Sequence, residues 1–315
     1  MPLETACSLN SVIRWLFAMK KIVRPFVKWA GGKGQLLPEI RRYYPFQTGR
    51  ITRYAEPFIG GGAVLFDILS QYELDEVYIS DVNADLINAY RVIRDCVEQV
   101  IERLQAMQQD FLPLPPEDRK TYYMTQRESF NRLKKCSDGK ASVEKAALLI
   151  FLNRTCFNGL FRVNKKGFFN VPIGAYKAPL ICDRENLHTI SEKLASVNIH
   201  CGDYRDSESF IDTRTFVYID PPYRPISATA SFTAYSENAF GDEAQQELAE
   251  FVGKIHAKGA KILVSNSDPT NHDSQDSFFD SLYASYTIRR VEASRMINSD
   301  SKSRGKIREL LISNS

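Results

Sequence analysis

The sequence is poor in the residues from which metal sites and disulfide frameworks are built. It contains four histidines and six cysteines, and no two cysteines form a Cys-x-x-Cys pair. Structural zinc sites usually need paired ligands at short spacings, and secreted disulfide scaffolds need a denser set of cysteines. We therefore expect neither a metal nor disulfides, and we interpret the cysteines as reduced thiols of a cytoplasmic protein.

Long apolar runs are missing as well. No uninterrupted apolar stretch reaches the roughly 20 residues that a transmembrane helix needs, so we expect no membrane partner. The first residues include Glu4 and, inside their only apolar patch, Arg14, which is not typical of a signal peptide. Residues 1–24 are predicted to be an N-terminal extension, and the sequence leaves open whether translation starts at Met1 or at Met19.

What the sequence does contain is a globular composition with an uneven distribution of charge. The chain has 315 residues, of which 43% are hydrophobic, enough for a large core and a smaller second domain. Its net charge of +3 conceals three basic segments, 1–50, 119–177 and 285–308, which hold nine, thirteen and seven Lys or Arg against two, three and two Asp or Glu. If these segments form one face, that face would attract a phosphate backbone. Three solvated helix faces that point in different directions are the alternative.

Strand and helix patterns alternate along the chain, without an internal repeat. Short apolar strands precede runs with helical spacing, which is the order expected for parallel strands joined by helices. An α/β fold is therefore predicted. The expected strands are 51–55, 76–80, 216–219 and 261–265, the expected helices are 63–69, 86–104 and 242–258, and a hairpin-like pair at 285–292 and 307–313 closes the sheet.

A second domain is predicted inside the first. Residues 112–116 read Leu-Pro-Leu-Pro-Pro and should end the helix before them. A strongly basic stretch rich in Asn, Tyr and Phe follows. We expect residues 110–200 to form an inserted domain, with residues 25–109 and 201–315 together making up the main domain.

The strongest local signal is Asp220-Pro221-Pro222-Tyr223, directly after the apolar run 215–219. The prolines fix the turn and lack N–H donors, so the Pro221 carbonyl and the Asp220 carboxylate can both accept hydrogen bonds. An exocyclic NH2 group satisfies both acceptors, and Tyr223 offers a ring on which a base can stack. The pattern indicates chemistry at an amino nitrogen, although a strand that simply ends in a proline turn would look similar.

A second signal combines a glycine turn with a carboxylate. Gly60, Gly61 and Gly62 lie between a predicted strand and a predicted helix, where they let a ligand approach the backbone and the helix N-terminus. Asp81 ends the next strand about twenty residues later, where a carboxylate can bind the hydroxyls of a ribose. The pair predicts an adenosine-type ligand. Capping of the following helix is the alternative role for Asp81.

Two nucleotide-binding functions are disfavoured by the glycine-rich loops. The turn with Pro57 and the bulky Phe58 does not match the G-x-G-x-x-G of nicotinamide-binding proteins. In the upstream loop, Lys33 precedes Gly34 rather than the Ser or Thr that holds magnesium in phosphate loops. We expect this loop to cover a small charged ligand, with Lys33 facing a carboxylate and Trp29 lying against it. A place for Trp29 in the core is the alternative.

Five segments together resemble the motifs of one enzyme family, the alpha group (D12 class) of adenine-N6 DNA methyltransferases. The resemblance spans nearly the whole chain from residue 24. The family places its methyl-donor motif before a target-recognition domain and its D-P-P-Y motif after it, and this chain has the same order. The matching segments are 26–33 (FVKWAGGK), 56–62 (EPFIGGG), 81–83 (DVN), 153–160 (NRTCFNGL) and 220–223 (DPPY).

This resemblance implies a fold and a methyl donor. The implied fold is that of S-adenosylmethionine-dependent methyltransferases, a mixed seven-stranded sheet with helices on both faces and an inserted, mainly helical target-recognition domain at 110–200. The positions that match the family's S-adenosylmethionine site are Trp29, Lys33, Glu56, Phe58, Gly60, Gly62, Asp81, Asp203 and Asp220. For Asp203 an ordinary loop aspartate is the alternative. The implied catalytic residues, which grip the adenine, are Asp220, Pro221, Pro222 and Tyr223.

Residues 153–176 are similar to the segment with which GATC-methylating members read their site. By this similarity Arg162 would bind guanine O6 and N7, and Leu160 and Pro172 would touch a thymine methyl. Phe157 stands where many relatives have Tyr, and its ring would wedge into the base stack. The full set expected to contact double-stranded DNA is Lys28, Arg154, Phe157, Asn158, Leu160, Arg162, Pro172, Tyr176, Arg295 and Arg304. Packing in a small domain, or an ordinary surface loop for the last two, is the alternative.

The implied function is transfer of a methyl group to N6 of an adenine rotated out of duplex DNA, within GATC, by a monomeric enzyme. Methylation of RNA bases or of a protein glutamine is an alternative, although such enzymes usually carry Asn where this chain has Asp220. A DNA-binding module that kept the fold without catalysis is another. A restriction-modification enzyme, an orphan regulator and a phage enzyme would share these residues.

Overall fold

One seven-stranded sheet organises the chain in the computed structural model, which describes residues 23–135, 141–224, 240–294 and 306–314. The strands are β1 (Arg53–Glu56), β2 (Glu76–Asp81), β3 (Val197–Cys201), β4 (Thr215–Ile219), β5 (Lys261–Ser267), β6 (Thr287–Ser294) and β7 (Lys306–Ser313). They lie in the order β3-β2-β1-β4-β5-β7-β6. The first five are parallel to one another, and β7 is antiparallel to both β5 and β6. The mixed α/β sheet predicted from the sequence is confirmed.

The helices precede, connect and flank these strands. They are α1 (Leu37–Ile40), α2 (Ala63–Gln71), α3 (Ala84–Asp95), α4 (Val97–Phe111), α5 (Pro116–Lys135), α6 (Val143–Thr155), α7 (Arg184–Leu194), α8 (Asp242–Ala257) and α9 (Phe278–Leu282). Within the described ranges, none of the helices is both long enough and apolar enough to cross a membrane.

The helix predicted at 86–104 is in fact two helices. Cys96 separates α3 from α4 with φ of −141° and ψ of 38°, which is not a helical conformation. The apolar spacing runs through Cys96 and Val97 without a gap, so hydrophobic periodicity alone could not reveal the break.

Side chains that alternate along the strands fill two cores, one on each face of the sheet. Tyr54 and Phe216 point into one core, whereas the next residues along, Ala55 and Val217, point into the other. Helices α2, α3, α4, α6 and α7 contribute to the first core, and α8 and α9 contribute to the second. The sheet is thus covered on both faces, which leaves the ends of its strands as the accessible edges.

The inserted segment is tied into the main fold. Every residue of α6 from Lys145 to Asn153 is buried, and this helix packs on α3, α4 and α5. Strand β3 pairs with β2 through the buried residues Val197 and Ile199. The sheet therefore includes residues 197–200, because alternating apolar residues favour strand pairing there, and the limits of the inserted domain stay a prediction.

Candidate active site

Three predicted site residues stand at the ends of neighbouring parallel strands. Glu56 is the last residue of β1, Asp81 is the last of β2, and Asp220 directly follows β4. Strand β1 lies between β2 and β4, so the strand order reverses direction there. Open parallel sheets bind ligands outside the carboxyl ends of their strands at such a point. The fold therefore brings the two strongest sequence signals to one edge of the sheet.

A buried lysine joins the glycine-rich loop to the proline corner. Lys33 is 4% exposed, and its Nζ lies 2.8 Å from Asp220 Oδ1. The same Nζ donates hydrogen bonds to the Tyr223 hydroxyl at 3.0 Å and to the Gly31 carbonyl at 2.8 Å. Burial alone would lower the pKa of this amine, but the Asp220 carboxylate and the other acidic groups around it outweigh burial and raise the pKa above its usual value. Lys33 is therefore a permanent cation at the site.

Sequence reasoning did not identify a second carboxylate near Lys33. Glu309 Oε2 lies 3.7 Å from Lys33 Nζ, and the Glu309 side chain is only 10% exposed. It stands on β7 between Ile307 and Leu311 on the same face, and both of these pack in the first core. Glu309 could therefore have been identified in the sequence as an acidic residue on the apolar face of a predicted strand.

The Asp220 carboxylate combines burial with an opening to the surface. Burial raises its pKa to about 6, against the lowering effect of the Lys33 charge. Its side chain keeps 19% exposure, so a ligand can reach it. Above pH 6 the group is an ionised acceptor in a poorly hydrated place, where a hydrogen bond from a ligand is worth more than at the surface.

Glu56 points into the protein interior. It is 3% exposed, and its Oε2 accepts a hydrogen bond from the Tyr54 hydroxyl at 2.7 Å. Burial raises the pKa of Glu56 well above its usual range, and the negative charge of Asp220 raises it further. Its predicted contact with the donor stays a prediction, since the observed bond is to Tyr54.

Two buried amides hold the proline corner. Gln245 Nε2 donates to the Pro222 carbonyl at 3.2 Å, and Asn266 Nδ2 donates to Gln245 Oε1 at 3.2 Å. Gln245 shares the buried face of α8 with Leu248 and Val252. Sequence reasoning missed both amides, although a polar residue on an apolar helix face is a usable signal. Their bonds fix the Pro222 carbonyl and thereby the orientation of the turn.

The glycine turn wraps around Asp81. Asp81 Oδ2 accepts from the Gly60 amide at 3.1 Å, and Oδ1 accepts from the Asn83 amide at 2.9 Å. Gly62 has φ of 73°, and a Cβ there would stand 2.5 Å from the Tyr90 hydroxyl oxygen. Only glycine combines this positive φ with the close packing against Tyr90, so the turn keeps its shape. The cap of α3 is Asn83, whose Oδ1 accepts from two amides of that helix.

Aromatic rings from two loops line the same region. Trp29 is half-buried and stacks on Phe161 with ring centroids 5.3 Å apart. A Cβ on Gly60 would stand 2.9 Å from Trp29 Cδ1, so the indole lies over the glycine turn. Phe58 stacks on Tyr204 at 5.3 Å. The rings give the region apolar walls beside the Asp81 carboxylate.

Asp203 makes the contacts of a loop aspartate. Its Oδ1 accepts from the Arg205 amide at 3.0 Å and from Arg205 Nε at 2.7 Å. These bonds cap the short helical turn Tyr204–Ser209. The role of Asp203 beside the adenine ring of a methyl donor therefore stays a prediction.

Most of the predicted DNA-reading residues gather around the turn Phe157–Gly159. Phe157 is 50% exposed, and its amide donates to the Pro172 carbonyl at 2.9 Å. Lys28 Nζ donates to the Tyr176 hydroxyl at 3.4 Å and lies 4.9 Å from the centre of that ring. Arg162 is exposed, with its Nε bonded at 2.8 Å to a neighbouring amide side chain. An exposed aromatic ring among basic side chains is typical of a contact surface.

A buried asparagine locks this surface to the glycine-rich loop. Asn153 is 2% exposed, and its Oδ1 accepts from the Lys28 amide at 2.7 Å. Its Nδ2 donates to the carbonyls of Lys28 and Gly159, both at 2.8 Å. The three bonds join segments far apart in the chain, so the predicted readers and the loop that carries Trp29 are held in one arrangement.

One residue of the predicted DNA-contact set is bonded within the protein. Arg154 Nε donates to the Phe26 carbonyl at 3.1 Å, Nη2 donates to the Pro25 carbonyl at 3.4 Å, and burial lowers the pKa of this guanidinium. Its predicted contact with DNA stays a prediction, since the observed bonds are to backbone carbonyls. Arg295 and Arg304 lie outside the described residues.

The assembled groups suit an adenosine-containing ligand next to an amino group. Asp81 presents a carboxylate at the end of β2, and the neighbouring Val82 side chain is 68% exposed, as expected of an apolar platform for a ring. Asp220 presents the acceptor for an N–H donor. Among the described residues, no three His, Cys, Asp or Glu side chains are grouped to hold a metal ion.

Comparison with known proteins agrees with this geometry. A family model described as D12 class N6 adenine-specific DNA methyltransferase matches residues 29–297. The chain is 46% identical over 295 residues to the type II methyltransferase M.MjaIII of Methanocaldococcus jannaschii, covering 93% of this chain and 99% of that protein. It is 39% identical over 296 residues to the type II methyltransferase M1.LlaDCHI of Lactococcus lactis subsp. cremoris (93% and 95%), and 35% identical over 288 residues to the DNA adenine methylase of Escherichia coli strain K12 (91% and 94%). The chain therefore belongs to the D12 class of N6 adenine-specific DNA methyltransferases.

Proposed function

We propose that this adenine-specific DNA methyltransferase modifies N6 of an adenine that it rotates out of duplex DNA, within the sequence GATC. The observation that carries the proposal is the placement of Asp220, a reachable carboxylate held 2.8 Å from a buried cation where the strand order reverses. The proposed enzyme acts as a monomer, and residues 110–200 form its target-recognition domain.

The residues present fit S-adenosylmethionine, the methyl donor of this enzyme class. Asp81 offers a carboxylate to two ribose hydroxyls beside the glycine turn, whose Gly60 amide already bonds that carboxylate. Trp29 would lie along the donor, and the Lys33 ammonium, which pairs with Asp220, would border the donor from within the protein. When bound, this donor supplies an electrophilic methyl group on a sulfonium sulfur.

The corner at Asp220 would prepare the adenine amine. The N6 lone pair of adenine is delocalised into the ring, so the amine is a weak nucleophile. Asp220 and the Pro221 carbonyl would each accept one N6 hydrogen, which favours the positive charge that develops on nitrogen in the transition state. Tyr223 would stack on the base. Direct displacement would form the N6–carbon bond as the carbon–sulfur bond breaks, leaving a neutral thioether, and N6 would release one proton to Asp220 or to solvent, with no covalent enzyme intermediate.

Base rotation and GATC readout are supported by the exposed turn. Phe157 presents a half-exposed ring beside Pro172, and such a ring can fill the gap that an extruded base leaves. Arg162 and Lys28 would each bind a guanine, and the hydrogen bonds of Asn153 to Lys28 and Gly159 join the two segments that carry them. The choice of GATC rests on the similarity of residues 153–176 to the segment that reads this site.

The proposal is tested by mapping methylated positions after expression in a host without adenine methylation. We expect N6-methyladenine in GATC, and none when Asp220→Ala is expressed at the same level. Methylation at another sequence would overturn the roles of Arg162 and Lys28 and leave the catalytic role of Asp220 standing. With purified protein and labelled donor, label found only in RNA or protein would overturn the DNA assignment itself.

A further inference from the structure

Among the described residues, the buried cation at the active site has two carboxylate partners. Lys33 Nζ lies 2.8 Å from Asp220 Oδ1 and 3.7 Å from Glu309 Oε2, and all three side chains are at least four-fifths buried. Glu309 comes from β7, whose backbone pairs with β5 on one side and β6 on the other. The Glu309 carboxylate, which β7 holds in the sheet, thus faces the Lys33 ammonium from the protein core.

We propose that Glu309 is a positioning residue for methyl transfer that acts through Lys33, holding the ammonium by a second negative charge so that Asp220 remains a strong acceptor for the amine of the base. The inference rests on the function proposed above and adds a residue to it. Glu309 itself would touch neither the base nor the donor.

The physical argument concerns how one cation is shared. An ammonium that pairs fully with Asp220 withdraws electron density from the oxygens that must accept the N6 hydrogens. With Glu309 on the other side, the Lys33 charge is divided between two carboxylates, and neither is fully neutralised. Removing one partner of a buried charge cluster leaves the remaining pair to tighten, because the cation has no water to replace the lost partner.

The electrostatics of Asp220 agree with this sharing. Burial raises its pKa to about 6, the Lys33 charge lowers it, and the Glu309 charge raises it. The ionisable groups that surround Asp220 are Lys33 from the glycine-rich loop, Glu56 from β1, Tyr218 from β4, Tyr223 from the corner and Glu309 from β7. Removal of the Glu309 charge therefore leaves the effect of Lys33 less opposed, and the pKa of Asp220 falls.

The test compares Glu309→Gln with Glu250→Gln, which removes one negative charge from an exposed position on α8. Single-turnover methylation of a duplex is measured from pH 5 to pH 9 for both variants and for the unmodified enzyme. We expect Glu309→Gln to reduce the rate at the optimum by about tenfold, less than the loss of a direct contact. We also expect the acid limb of its pH–rate profile to move to lower pH. Glu250→Gln should match the unmodified enzyme both in rate and in the position of this limb.

Glu309→Asp is the second variant, because it keeps the charge but withdraws it by one methylene. Its acid limb should lie between those of the unmodified enzyme and Glu309→Gln. If Glu309→Gln does not fold, the pH–rate profiles of Glu309→Asp and Glu250→Gln are compared instead. An acid limb of Glu309→Asp that is not shifted from that of Glu250→Gln overturns the inference. A lower rate with an unshifted limb in both Glu309 variants also overturns it, since that is the mark of a packing role.

Failure of the inference is distinguishable from failure of the proposed function. If Asp220→Ala still methylates DNA, or the product is not N6-methyladenine, the function proposed above falls. If Asp220→Ala is inactive and Glu309→Gln behaves like Glu250→Gln, only the role of Glu309 falls.

Discussion

The catalytic corner and the DNA-reading turn are built in opposite ways. Lys33, Asp220 and Glu309 form a buried charge cluster whose members come from three separate parts of the chain. Phe157 and Arg162 are exposed. Their segment is held mostly by backbone hydrogen bonds and by the side chain of the buried Asn153. The first region is fixed before any ligand arrives, whereas the side chains of the second remain free to adjust to DNA.

This difference indicates where substitutions should matter. In the corner each side chain is a partner of the next, so a single change removes several interactions at once. On the reading turn the side chains have few partners within the protein, so a change there should alter binding and leave the fold intact. Asn153 is the exception, because it lies beneath the turn and is buried like a member of the corner.

The largest effect is expected at Asp220. Asp220→Ala removes the acceptor that stabilises the developing charge on N6, so turnover should fall on the order of a hundredfold or more. Duplex binding, measured by fluorescence anisotropy at fixed salt, should change little because the reading turn is untouched. Turnover near that of the unmodified enzyme in a single-turnover assay would contradict the assignment.

Asn153→Ala should be the most destabilising change near the reading turn. It leaves the Lys28 amide and carbonyl and the Gly159 carbonyl without their side-chain partner, and we expect the free energy of unfolding to fall by about 2 kcal/mol. Urea denaturation measures this fall in the free energy of unfolding. Asn198→Ala, at an exposed position on the edge strand β3, is the matched control and should stay within about 0.5 kcal/mol. Equal stability of the two variants would refute the locking role.

Two glycine substitutions should change the stability of the protein in opposite directions. Gly62→Ala forces a side chain into a left-handed conformation and against the Tyr90 hydroxyl, which should destabilise the protein by about 1–2 kcal/mol and weaken donor binding. Gly253 lies on the exposed face of α8 with open space at its Cβ position, so Gly253→Ala should stabilise the protein by up to about 1 kcal/mol. Thermal unfolding with and without donor separates the two effects.

The smallest effect on the enzyme, and the most selective, is expected at Arg162. Arg162→Ala should reduce the preference for guanine over adenine at one position of the site by about tenfold, with little change in stability. Lys165→Ala, from an exposed position nearby, should weaken binding to all duplexes alike. Competition between duplexes that differ in one base pair makes the measurement, and an unchanged preference would remove Arg162 from the reading set.

Local signals in the sequence predicted most of the sheet and the core of the site. The corner at Asp220 and the glycine turn could be found because strand, turn and ligand chemistry lie within a few consecutive residues. Glu309 and Gln245 could not be assigned in this way, because their partners are distant in the chain and only the fold brings them together. The bond of Arg154 to the Phe26 carbonyl could not be predicted for a related reason, since a basic segment shows charge but not which guanidinium the backbone will engage.

Lys28 and Trp29 are consecutive residues that point toward different parts of the proposed site. One reaches toward Tyr176, and its neighbour lies over the glycine turn. A backbone shift of even a fraction of an ångström that moves Lys28 would also displace the indole. Because the same indole stacks on Phe161, the neighbour of Arg162, redesign of sequence preference in this scaffold is better begun by exchanging side chains than by remodelling either backbone segment.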